Sequence, residues 1–111
     1  MKWVLTLLGG ICVSAATMSA SAAERCSIHP AKGVSGKQLT ALAQVSQAEA
    51  ERTAVAKIDA NEKVSVVAAE LESEHGCLIW SFDLRIAGKS GVQEVHIDAG
   101  NGNVLSVEHE N

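Results

Sequence analysis

The sequence predicts an α+β fold in which one α-helix packs on an antiparallel sheet of three or four strands. Three observations support this prediction: a capped helical segment beginning at Ser46, strand-like segments from Lys63 onward, and turn residues at hairpin spacing between those segments. No further helical pattern separates the strands. Consecutive strands are therefore expected to pair as an α-β-β-β-β meander, within a domain that spans residues 45–110.

The N-terminus has the layout of a secretory signal peptide. Lys2 supplies a positive charge, an apolar run extends from Trp3 to Ala16, and small residues follow up to Ala23. The apolar run is interrupted by glycine and falls short of the roughly 20 residues that cross a bilayer, although a retained anchor stays an alternative. We expect residues 1–23 to be removed and the chain to be periplasmic or secreted, without stable membrane insertion after cleavage.

The charge balance is acidic, with thirteen Asp and Glu against nine Lys and Arg. Removal of Lys2 with the signal peptide makes this balance more acidic still. Nucleic acids and anionic lipids are bound by basic surfaces. The composition therefore disfavours both as partners and leaves a protein as the expected partner.

Two of the three cysteines, Cys26 and Cys77, lie outside the predicted signal peptide. In an oxidising compartment such a pair is expected to form a disulfide, which would close a loop of about 50 residues. Two free thiols, a metal site or a link to a second chain are the alternatives. Residues 24–44 show no sustained periodicity and are interpreted as a lead-in segment, in which residues 37–45 could form a helical turn or a strand.

The helix is predicted from a capping box at Ser46 and Glu49. The Ser46 side chain is expected to accept a hydrogen bond from the Glu49 amide, while Glu49 reaches back to the Ser46 amide. The helix is expected to end at residues 59–61. Its apolar side is predicted to contain Ala48, Ala50, Ala54, Val55 and Ile58.

The first two strands are predicted at residues 63–72 and 78–86, joined by a turn at His75 and Gly76. Val64 and Val66 are out of phase with the apolar residues after them, which predicts a β-bulge near Val66 and Val67. The second strand alternates clearly and should place Trp80 and Phe82 in the core. The inward residues of the first strand are predicted to be Val67, Ala69 and Leu71.

The last two strands are predicted at residues 93–98 and 104–108, after a turn at 88–91 and around a glycine-rich turn at 98–103. The inward residues are predicted to be Val95, Ile97, Leu105 and Val107. The opposite face of the sheet is expected to be polar and mostly acidic. The candidate partner-facing residues on it are Asp83, Arg85, Glu94, His96 and Asp98.

From Val45 to Glu110 the order of elements resembles the PepSY domain family, over about two thirds of the chain. The most specific part is the closing segment, with Glu94–Ala99 followed by Gly102–Leu105. The resemblance implies a non-catalytic, exported binding module without a cofactor, which restrains a peptidase or assists the folding of an enzyme. A stand-alone domain of this kind is expected to find its partner in trans. The positions that match fold-shaping positions of the family are Gly76, Trp80, Phe82, Asp98, Gly102 and Val104.

No catalytic combination of nucleophile and base can be assembled from the sequence, and an enzyme is not expected. The alternative function is a metal-handling or redox-associated periplasmic protein. Its candidate ligands are Cys26, His29, His75 and Cys77, which offer thiolate and imidazole groups. Their spacing is not diagnostic, and the disulfide is favoured over the metal site.

Overall fold

The computed structural model describes residues 26–58 and 63–111, which form two helices and a four-stranded sheet. The helices are α1 (Lys37–Leu42) and α2 (Gln47–Ile58), and the strands are β1 (Val64–Glu74), β2 (Cys77–Ile86), β3 (Val92–Asp98) and β4 (Val104–Glu110). The predicted signal peptide at 1–23 and the predicted helix end at 59–61 lie outside the described residues. Neither of the two described helices is long and apolar enough to cross a membrane.

The sheet is a meander of order β1-β2-β3-β4, and every neighbouring pair of strands is antiparallel. Helix α2 packs against β2, β3 and β4, and α1 packs against β1. The predicted α+β class and the packing of a helix on the sheet are therefore confirmed. The sequence left residues 37–45 undecided between helix and strand, and most of them form α1.

Helix α2 begins where the capping box predicts. The Glu49 amide donates to the Ser46 hydroxyl at 3.1 Å, which satisfies one of the amides without an intrahelical partner. The Glu49 carboxylate accepts a second hydrogen bond, from the Ser46 hydroxyl at 3.3 Å. Ser46 and Glu49 thus bond to each other, but the Glu49 carboxylate contacts the Ser46 hydroxyl, whereas the capping box predicted a contact with the Ser46 amide.

The main core lies between α2 and the sheet. Ala50 and Ala54 are fully buried on the sheet side of α2, where their small side chains let the helix backbone approach the strands. Ala48 is exposed, contrary to the prediction, because it lies roughly 200° around the helix from Ala50. The buried strand residues of this core are Phe82, Leu84, Val95 and Ile97.

The predicted β-bulge is present in β1. Val66 pairs with Leu84 and Ala68 pairs with Asp83, so Val67 is the extra residue between two consecutive pairs. Val64 and Val66 pack against the main core, whereas Val67 is 50% exposed. The prediction that Val67 points inward is therefore wrong: the bulge turns its side chain outward.

Strand β4 also departs from the predicted phase. A register irregularity lies between the pairs His96–Ser106 and Ile97–Val104, which leaves Leu105 between them. Leu105 is buried, but on the face away from α2, where it packs in a small cluster with Ile79 and the two cysteines. Val107 lies opposite the core residue Val95 and is therefore on the predicted side of the sheet, but it is 39% exposed.

The lead-in segment is an integral part of the fold. Ile28 accepts a hydrogen bond from the Leu78 amide at 3.0 Å, and Ala99 accepts from the Val45 amide at 2.9 Å. The Trp80 indole also donates to the Val45 carbonyl, at 2.8 Å. Cys26 packs on the face away from α2, while Ile28 packs on the same side as α1. The segment therefore passes around one end of the sheet and covers it.

Cys26 and Cys77 lie at disulfide-bonding distance, with their Cα atoms 6.0 Å apart and a sequence separation of 51. This geometry supports the predicted pairing. It joins the start of the lead-in segment to the start of β2, and Cys77 is 1% exposed. The bridge consequently fixes the segment that covers this end of the sheet.

Replacing both cysteines, Cys26→Ser with Cys77→Ser, is expected to lower the free energy of unfolding by about 4 kcal/mol, because the 51-residue loop is no longer closed in the unfolded chain. Denaturant unfolding with and without reductant measures this. The reductant should destabilise the wild-type chain to a similar extent and leave the double variant unchanged. Equal stability of the oxidised and reduced wild-type chains would contradict the bridge.

Candidate functional site

The sheet face turned away from α2, called the open face below, concentrates carboxyl groups. On β2 the side chains of Ser81, Asp83 and Arg85 alternate with the core residues and therefore point to this face. The pairing of the strands places their neighbours beside them. The carboxyl groups of the open face are Glu70, Glu72 and Glu74 of β1, Asp83 of β2, Glu94 of β3, and Glu108 and Glu110 of β4.

A groove runs across the first three strands on the open face. Ala68 and Ser81 are its small residues, and the other residues that line it are acidic: Glu70, Glu72, Asp83 and Glu94. Because Ala68 and Ser81 are small, they form the floor of the groove, and the longer acidic side chains form its walls. The groove is therefore shaped and charged to receive an extended or protruding cationic group.

His96 lies among these carboxylates. Its side chain is 14% exposed, and its Nε2 atom lies 2.8 Å from a Glu94 oxygen and 3.8 Å from a Glu74 oxygen. Despite the short distance to Glu94, Nε2 is buried and makes no hydrogen bond of acceptable geometry within the described chain. The 2.8 Å approach to Glu94 is an ion-pair distance, and His96 lowers the pKa of that carboxyl group. His96 therefore lies inside an acidic environment.

The pKa values of two carboxyl groups on the open face are raised. Burial, together with a hydrogen bond and the negative charge of Glu74, raises the pKa of Glu72 to about 7, against a weaker opposing effect of His96. Burial also raises the pKa of Glu94, with His96 lowering it and Glu110 and then Asp83 adding to the rise. Burial is thus the largest cause of both shifts, and neighbouring carboxylates add to each of them.

The predicted partner-facing residues divide into two groups. Asp83, Arg85, Glu94 and His96 lie on the open face as predicted, and their contact with a partner remains a prediction. Asp98 is wrongly assigned, because it is fully buried. The alternation of β3 does direct Asp98 to the open face, but the lead-in segment covers that end of the face.

Asp98 instead holds the lead-in segment. Its Oδ2 accepts from the Ser27 amide at 2.8 Å, and its Oδ1 accepts from the Ser27 hydroxyl and the Gly100 amide, both at 2.7 Å. The Asn101 amide donates to Oδ1 at 3.3 Å. Burial raises the carboxyl pKa of Asp98, but the hydrogen bonds from Ser27, Gly100 and Asn101 outweigh it and hold the pKa below its usual value of 3.8.

The proposed thiol and histidine ligands are only partly brought together. Cys26 Sγ lies 3.8 Å from His29 Nδ1, but the sulfurs of Cys26 and Cys77 lie at bonding distance from each other. A bridged cysteine offers no thiolate to a metal. His75 is 78% exposed in the β1–β2 turn and lies near Glu74, 3.6 Å away. The metal-handling alternative thus requires a reduced chain.

Several acidic residues of the open face were not singled out from the sequence. Glu70, Glu72 and Glu74 recur at every second position of β1, which is the pattern of one strand face. Glu108 and Glu110 show the same spacing in β4. This alternate spacing is the signal in the sequence that could have identified these glutamates as members of one sheet face.

The residues that carry the resemblance to PepSY domains occupy structural positions. Phe82 is fully buried and stacks beside Trp80, with ring centroids 6.4 Å apart. Gly76 and Gly102 adopt positive φ values in the turns, and Val104 packs against the main core. No model of a protein family, no curated protein and no solved structure matches the chain. Membership of the family therefore remains a prediction.

The variant Asp98→Asn is expected to lower the free energy of unfolding near neutral pH by about 2 to 3 kcal/mol, because a charged acceptor with several donors is replaced by an amide. Urea unfolding measures this difference. The matched control is Asp83→Asn, which removes the same charge from the open face and should change stability by less than about 0.5 kcal/mol.

The effect of Asp98→Asn should depend on pH in a defined direction. Because the pKa of Asp98 is lower in the folded chain than the usual value, its stabilising contribution is fully present above about pH 4 and is lost as pH falls through the folded-state pKa. The difference in stability between wild type and variant should therefore shrink in acid. A difference that stays constant down to about pH 2 would show that the ionised carboxylate is not the stabilising group.

Proposed function

We propose that this chain is an exported, non-catalytic binding module whose open face binds a cationic surface of a protein partner. The observation that supports the proposal is the groove walled by Glu70, Glu72, Asp83 and Glu94, where burial and the neighbouring Glu74 and Glu70 raise the pKa of Glu72 to about 7. Repulsion between these like charges lowers the stability of the free protein. A cationic partner relieves that cost on binding.

The distribution of basic residues supports the same surface. Arg85 and His96 are the basic side chains that the described strands direct to the open face. The other described Lys and Arg residues lie in the lead-in segment, in α2, next to β1 and in a turn, at Lys32, Lys37, Arg52, Lys57, Lys63 and Lys89. The molecule is therefore electrically asymmetric. Such asymmetry steers a partner of opposite charge towards one face.

The class of partner follows from the sign and the shape of the site. Nucleic acids and anionic membranes are repelled by a carboxylate-rich face. The groove is open, with small residues on its floor, so it accepts an extended segment or a protruding basic side chain from another protein. The bonded geometry of Cys26 and Cys77 is compatible with an oxidising compartment, as the predicted signal peptide also suggests.

A peptidase outside the cytoplasm is the first partner to test. The resemblance to PepSY domains implies a module that restrains peptidase activity or assists the folding of an enzyme. The acidic groove adds a physical criterion to that expectation: the enzyme should present a basic patch or loop. Binding through surface charges is weakened by salt, because ions screen exposed charges.

The test is a binding and inhibition assay of the oxidised exported chain against secreted metallopeptidases that differ in surface charge. We expect saturable binding to basic members that weakens as salt rises. The variant Glu70→Gln with Asp83→Asn, which neutralises two groove walls, should weaken binding about five- to tenfold. Affinity by surface plasmon resonance and rate of cleavage of a peptide substrate are the two measurements.

The matched control changes net charge equally on another surface. Glu51→Gln with Ala56→Lys alters the charge of α2 by the same amount and should leave affinity within about twofold. An equal loss in both variants would show that net charge, and not the groove, governs binding. Absence of any complex or any effect on cleavage or maturation across the panel would remove the support for a peptidase partner.

A further inference from the structure

Glu72, Glu74 and His96, called the His96 cluster below, bring three metal-ligating groups together on the open face. Glu72 and Glu74 lie on the same side of β1, and His96 reaches them from β3 across β2. One carboxylate oxygen from each glutamate and a ring nitrogen of His96 all lie within 4.8 Å of one another. Glu94 adds an oxygen 2.8 Å from His96 Nε2.

These distances suit a bound cation. Zinc binds imidazole nitrogen and carboxylate oxygen at about 2.0 to 2.2 Å, so ligands on opposite sides of the ion lie within about 4.4 Å of each other. The ligand atoms of the His96 cluster are already inside or close to that span. Small adjustments of glutamate side chains would bring them into bonding distance without moving the strands.

His96 provides a second observation that is independent of the carboxylate cluster. Its Nε2 atom is buried and lacks a hydrogen-bond partner within the described residues, although carboxylate oxygens lie nearby. Buried polar atoms are nearly always satisfied, and those that are not mark a missing water, ion or ligand. A metal ion bound to Nε2 would satisfy it and would attract the same oxygens.

We propose that Glu72, Glu74 and His96 bind one divalent metal ion, with zinc as the favoured ion. The imidazole ligand favours zinc over magnesium and calcium, which prefer oxygen ligands alone. The second acidic group, Glu94 with Glu108 and Glu110, contains no nitrogen ligand, and two of its members are exposed. It shows no comparable feature that points to an ion.

A divalent ion in the His96 cluster would compensate the charges of the Glu72 and Glu74 carboxylates, whose oxygens lie close together. It would also link β1, which is an edge strand paired only with β2, to β3. Binding should therefore increase stability as well as compensate charge.

The experiment titrates the chelator-treated, oxidised chain with Zn²⁺, Mn²⁺, Mg²⁺ or Ca²⁺ by isothermal titration calorimetry. We expect one Zn²⁺ per chain, a higher melting temperature, and a change in the ¹⁵N signal of the His96 ring nitrogen. The variants His96→Gln and Glu72→Gln with Glu74→Gln should each lose affinity by at least about 10- to 100-fold, the loss already seen when outer partners of metal ligands are removed. Circular dichroism verifies that each variant is folded.

His75→Gln is the matched control, because His75 is an exposed histidine beside Glu74 but outside the cluster. It should retain wild-type affinity within about twofold. Glu70→Gln with Asp83→Asn should also retain zinc binding, which separates this proposal from binding of a protein partner. Zinc binding that survives His96→Gln, disappears with His75→Gln, or is equalled by Mg²⁺ and Ca²⁺ would overturn the proposal.

Discussion

The buried carboxylate of Asp98 is the interaction on which the arrangement of this domain depends. A buried charge is costly unless it is hydrogen-bonded, and Asp98 receives hydrogen bonds from both the lead-in segment and the β3–β4 turn. These bonds hold Ser27 so close to Gly100 that a Cβ at Gly100 would collide with the Ser27 hydroxyl. The Asp98 carboxylate thereby holds the lead-in segment over one end of the sheet, which the Cys26–Cys77 pair also covers. The remaining part of the open face is left to acidic side chains.

The bulge at Val67 determines which residues form that acidic surface. Before the bulge, Val64 and Val66 face the main core; after it, Ala69 faces that core and Leu71 packs in the neighbouring cluster around Leu78. Uninterrupted alternation from Val66 would have directed the following glutamates of β1 into the core. One extra residue shifts the phase and moves them to the open face. The groove and the His96 cluster therefore both depend on a local irregularity of the edge strand.

The sequence was sufficient for the parts of this fold that are governed by local patterns. The capping box at Ser46, the alternation of β2 and the phase conflict around Val66 each predict a feature that the structure contains. Patterns of this kind are decided by neighbours in sequence. The same information predicted that the face opposite α2 would be polar and mostly acidic.

The sequence failed where distant segments meet. Alternation correctly directs Asp98 to the open face, yet its burial depends on Ser27, which lies 71 residues away and has no periodic pattern. Leu105 is likewise buried on the unexpected face because Cys26 and Cys77 form an apolar cluster there. The His96 cluster also joins residues of β1 and β3 across β2. Contacts of this kind require the pairing register, which single-strand patterns do not contain.

The carboxylates of the open face are gathered on neighbouring strands, which explains why a cation would be favoured there. Strand pairing keeps their backbones close together, and the half-buried Glu72 and Glu94 are screened less by water than exposed groups are. A proton on Glu72, a metal ion in the His96 cluster and a basic group in the groove each relieve the same repulsion. The first two act near the β1–β2 turn, whereas Glu70 and Asp83 lie farther from that turn. The groove walls Glu70 and Asp83 would therefore stay available to a protein partner even when a cation occupies the His96 cluster.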